Sequence, residues 1–190
     1  MESKADGMAK GLRRLQAPAA VLPWVLGLAA LSCPLFAYGE KISLWSGLLF
    51  LVLSVFPALE DGMTGYISDG WSLAIGLCGL VQRLLAGDIW ALWGAALVFL
   101  FLGGLFLWKR EALGEGDVWL GGAIACWLPG MSALLFLWLA FLFGGAAGAA
   151  RLFLGGKGKE TMAFGPFLCL GGGAAYVWGD GILSWYGTFF

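Results

Sequence analysis

The chain has 190 residues, 61% of them hydrophobic and 12% charged, with a net charge of −1 and a mean hydropathy of +0.87. A soluble domain of this length cannot bury so much apolar surface, so the composition predicts an all-α, polytopic membrane bundle in a single transmembrane domain. The near-neutral balance argues against a nucleic-acid partner. Histidine is absent and none of the four cysteines lies in a Cys-x-x-Cys pair, so no metal site and no cofactor is expected.

In chain order, residues 1–17 form a basic tail carrying Lys4, Lys10, Arg13 and Arg14. An apolar run at 19–38 follows, as in a secretory signal. Ala30-Leu31-Ser32-Cys33 resembles a lipoprotein cleavage site, but Ala30 stands where leucine is preferred. With further runs behind it, the segment reads as an uncleaved first span. Six more apolar segments succeed it at about 42–59, 71–85, 89–108, 118–128, 131–150 and 163–183, giving about seven candidate helices in a domain spanning 18–190. The run 118–128 is too short to cross alone. Either the Pro129-Gly130 turn lies below the outer surface or the helix begins before Asp117.

Basic residues set the orientation. With a cytoplasmic N-terminus, nine of the eleven Lys and Arg fall inside and only Lys41 and Arg83 outside. This positive-inside asymmetry places Asp61, Asp117 and the loop at 151–161 on one cytoplasmic face, with Asp88 and Asp180 on the other. Trp71, Trp90, Trp108 and Trp127 fall near span ends, where tryptophan anchors a helix at the interface.

The chemistry concentrates at two aspartates. Asp61 ends an apolar run within Glu60-Asp61-Gly62-Met63-Thr64-Gly65-Tyr66-Ile67-Ser68-Asp69, and Asp117 closes Gly114-Glu115-Gly116-Asp117. A carboxylate at or within the membrane is costly, so it marks function. Two that face each other form an acid/base pair able to activate water. Glycines beside them let a substrate backbone approach. A third element, Phe164-Gly165-Pro166-Phe167, opens the last span on the same face.

These three elements, in this order, resemble the type IV prepilin peptidase family of GxGD membrane aspartyl proteases. The resemblance rests on Asp61, Thr64, Ile67 and Asp69; on Gly114, Gly116 and Asp117; and on Phe164, Gly165, Pro166 and Phe167. It covers a catalytic core at roughly 45–185. It implies cleavage of the leader from prepilins or pseudopilins at the cytoplasmic face of the bacterial inner membrane, with Asp61 and Asp117 catalytic. Because such leaders are basic in the family, Glu60, Asp69, Glu111 and Glu115 are candidates to recognise them. Lys109, Arg110, Lys157 and Lys159 read as topology anchors or lipid-phosphate contacts.

The chain departs from the family pattern at Ser68, where proline is common, and at Trp119, where lysine is common. Bifunctional members also carry a cysteine-paired region tied to N-methyl transfer. No such pairs occur here, so the resemblance implies a short, peptidase-only form. Pro57-Ala58-Leu59 echoes presenilin-like proteases, but precedes the GxGD motif instead of following it. Two other readings stay open: a transporter or channel using the aspartates as ion ligands, and a non-catalytic assembly scaffold.

Overall fold

A computed structural model describes residues 41–110, 113–154 and 162–189. The first predicted span, at 19–38, Glu111, and the lysines at 157 and 159 lie outside the described residues. Among those described, the chain forms six α-helices and no strand. They are α1 (Lys41–Thr64), α2 (Asp69–Leu85), α3 (Trp93–Trp108), α4 (Glu115–Ala125), α5 (Gly130–Phe153) and α6 (Gly165–Gly187), with a 3₁₀ turn at Ile89–Leu92 ahead of α3.

Among the described residues, three stretches are long and apolar enough to cross a membrane: Trp45–Thr64, Ile89–Trp108 and Gly130–Phe153. The sequence had suggested about seven. α2 has 17 residues, and α6 is glycine-rich, with Asp180 interrupting it. α4 has only 11 residues, about 16 Å of rise against the roughly 30 Å of a hydrocarbon core. It starts two residues before Asp117, which answers the question left by its apolar run.

This short helix is the centre of the bundle. α4 packs on α2, α3 and α6, while α1 lies against α2 and α6, and α5 against α3 and α6. Every residue of α4 from Leu120 to Ala125 is buried. The ring around it is open on one side, because α2 and α3 barely touch.

The far end of α4 is held by side chains. Trp127 is 1% exposed and its indole N–H donates to the Ile75 carbonyl at 2.8 Å. That corrects its reading as an interfacial anchor, whereas Trp90 and Trp108 are exposed as that role requires. Arg83, on α2, donates from Nη2 to the Trp127 carbonyl and lies 3.7 Å from Asp88. It therefore closes the turn after α4 in addition to any part in topology.

Candidate active site

Asp61 sits in the last turn of α1. The helix ends at Thr64 because Gly65 adopts φ +69°, a left-handed conformation that costs glycine little. The Gly65 N–H then donates back to the Asp61 carbonyl at 2.8 Å. Thr64 Oγ1 donates to the Glu60 carbonyl at 2.7 Å, and the Glu60 carboxylate accepts the Ser68 N–H at 2.9 Å. Glu60 is thus committed to shaping the α1–α2 loop. The loop in turn drives Ile67 into the core, where it is 3% exposed.

Asp117 lies in the first turn of α4. Its Oδ2 accepts the Gly114 N–H at 3.1 Å, the side-chain half of a capping box. Its Oδ1 is buried with no hydrogen-bond partner.

The third motif completes the arrangement. The Gly165 N–H, at the start of α6, donates to Asp61 Oδ2 at 2.7 Å, a charge-assisted bond to an aspartate that is 5% exposed. A side chain at Gly165 has no room: a Cβ there would lie 2.7 Å from Asp61 Oδ2 and 3.1 Å from Ile67 Cδ1. One on Gly116 would lie 3.1 Å from Ile67 Cβ. Ile67 is therefore wedged between the glycine that bonds Asp61 and the glycine that precedes Asp117. Pro166 is buried and faces Gly62, while the Phe164 ring packs on Phe141 at 5.2 Å and over Gly144. Phe164 thus seats α6 on α5.

Electrostatics couple the pair. Burial pushes the Asp117 carboxyl from its usual 3.8 up to about 7. The charge of Asp61 adds to the rise, and the Gly114 N–H opposes it. Near neutral pH Asp117 can then hold a proton while it senses the charge of a second buried carboxyl, Asp61.

Of the residues singled out from sequence, Asp61, Asp117, Gly114, Gly116, Gly165 and Pro166 come together at this end of the bundle. Asp69 and Glu115 are exposed beside it. Asp88 and Asp180 share a separate 440 Å³ cavity with Met131 and Ser132. Asp180 lies fifteen residues along α6 from Gly165, about 22 Å away. Sequence reasoning had named Ile67 only as a motif match, and its packing between two glycines became visible only in three dimensions. Arg83 and Trp127 carried no signal for their roles.

Two buried carboxyls, each bonded by a backbone N–H, lie in an all-helical bundle that has three membrane-capable stretches among its described residues. Relatives make the assignment narrower. The chain is 32% identical to the prepilin leader peptidase/N-methyltransferase of Legionella pneumophila over 75% of this chain and 42% of that protein. It is 29% identical to the protein of the same name from Aeromonas hydrophila over 90% of this chain and 53% of that one. For that of Xanthomonas campestris pv. campestris the identity is 28%, over 75% and 54% respectively. Over most of its length the chain is thus similar to prepilin leader peptidase/N-methyltransferases, and it spans about half the length of the curated relatives it matches. No family model and no solved structure matches it.

Proposed function

We propose that this chain is a membrane aspartyl endopeptidase that removes the leader from type IV prepilin or pseudopilin-like substrates at the cytoplasmic face of the bacterial inner membrane. The observation that carries the reading is the coupling of two buried carboxyls, one of them held near pH 7. Only the peptidase half of the relatives' name is taken over.

In the proposed reaction the ionised aspartate accepts a proton from water as the water oxygen attacks the scissile carbonyl carbon. The protonated partner gives its proton to the carbonyl oxygen, forming a tetrahedral diol without an acyl-enzyme. Breaking the C–N bond returns a proton to the leaving nitrogen. The dyad titrates as a unit, and either member can begin as the base. Gly165 and Gly114 hold one oxygen of each aspartate, and Asp117 Oδ1 is the oxygen left to exchange the proton.

The test is cleavage of a leader-bearing prepilin by the purified chain in lipid nanodiscs. Asp61→Asn and Asp117→Asn are each expected to lower the rate by at least about a hundredfold, and Asp88→Asn to leave it unchanged. Full cleavage by either dyad variant overturns the reading. Aspartate-dependent ion flux without cleavage would favour a transporter, and a folded chain that cleaves no prepilin would favour a scaffold.

A further inference from the structure

The gap between α2 and α3 is a groove of about 660 Å³ whose floor is α4. Gly76 on α2 and Ala123 on α4 make that floor shallow, since a Cβ on Gly76 would already touch the Ala123 Cβ at 3.4 Å. The walls are Leu73 and Leu77 on one side and Phe99 on the other, with Trp119 rising from α4. All four are partly or well exposed.

The groove is polar at one end only. Asp69 and Glu115 border it there, and among the described residues neither has an ion-pair partner. Ser72, one turn above Asp69, has a buried hydroxyl without a hydrogen-bond partner. This end adjoins the dyad: Glu115 is two residues from Asp117, and Asp69 is two residues from Ile67. From Asp69 the groove follows α2 to Leu80, about 16 Å or three helical turns.

We propose that this groove receives one apolar helix of the substrate, entering from the lipid with a cationic residue at the dyad end. The inference rests on the peptidase reading and names how its substrate is held. Three turns of a helix present one stripe of side chains, which matches an apolar trough of this length. Small residues on the floor let the helix approach closely where lipid supplies no hydrophobic driving force. Two unpaired carboxylates at the mouth favour Lys or Arg just ahead of the apolar run, and disfavour an acid there. The extended segment preceding the helix is then delivered past Glu115 to Asp61 and Asp117.

The experiment places a photo-crosslinking phenylalanine analogue at Leu77 or Trp119, and at the exposed Leu142 of α5 as a control, in the full chain in nanodiscs with a leader-bearing prepilin. Crosslinks from Leu77 and Trp119 to the apolar helix of the prepilin, and none from Leu142, are the expected result. Crosslinks instead to residues 1–40 of the same chain, to a second copy, or to lipid alone overturn the proposal. Kinetics supply a second readout. Leu77→Trp, which fills the groove, should raise KM about tenfold, and Leu142→Trp should not. Asp69→Asn with Glu115→Gln should raise KM for a substrate with Lys ahead of its helix, and not for the same substrate with Gln there. An unchanged KM in the groove variants, with cleavage still dependent on Asp61 and Asp117, sinks the groove and spares the peptidase. Crosslinking without any cleavage does the reverse.

Discussion

Gly165 concentrates two demands on one position: its N–H bonds Asp61 and its missing side chain makes room for Asp61 and Ile67. Gly165→Ala should therefore push the carboxylate out of place. We expect a cleavage loss approaching that of Asp61→Asn, with a stability cost of about 1–3 kcal/mol for overpacking, read as cleavage rate and thermal unfolding of the same preparation. Asp117 makes a prediction with a definite sign. Folding raises its proton affinity, so its contribution to stability is fullest below pH 3.8 and is lost as pH rises through about 7. Asp117→Asn should abolish cleavage yet unfold at a higher temperature than the wild type at pH 8. The difference should close toward pH 4, and a gap independent of pH would contradict it. Both aspartates were legible in the sequence because a carboxylate beside a long apolar run is conspicuous. The partner of the Asp61 carboxylate was not, since the N–H that bonds it comes from a residue 104 positions away.

The short helix α4 depends on its ends. At the site end Asp117 caps it through Gly114, and at the other Arg83 takes up the Trp127 carbonyl. A helix end buried without partners leaves carbonyls exposed to an apolar interior. Arg83→Met should leave that carbonyl unsatisfied and lower stability by about 1–3 kcal/mol. Below the melting temperature it should preserve dyad-dependent cleavage. Thermal unfolding with parallel cleavage assays checks this, and a variant as stable as the wild type would remove Arg83 from the cap. Hydrophobic runs predicted the positions of α1, α3 and α5 within a few residues. They mark α4 as too short to span alone but leave its start open, because run length records only where apolar residues stop. The apolar run stops early because α4 is enclosed by its neighbours from Leu120 to Ala125 and does not have to cross the membrane by itself. The same limit applies to Trp127: its place near a run's end resembles an anchor, while its burial depends on Ile75, fifty-two residues earlier.

At the level of the bundle, three motifs spread from Glu60 to Phe167 converge because α4 stands inside the ring and α6 crosses from α1 to α5. Charge asymmetry predicts that they share one face, and the structure brings them to one end of the bundle. The opening between α2 and α3 was not legible in the sequence, because a missing contact leaves no trace in composition. One consequence follows from the length of the central helix. α1, α3 and α5 carry the stretches long and apolar enough to cross a membrane and would tilt as acyl chains lengthen or shorten, whereas the 11-residue α4 is too short to span and would be spared most of that adjustment. It would then act as a strut within the frame, carrying Asp117, while Asp61 rides on α1, one of the helices long enough to span. Leader cleavage in thin and thick bilayers would then shift through the alignment of Asp61 alone, and a lipid series run at constant substrate would trace how tightly Gly165 tethers that helix to the strut.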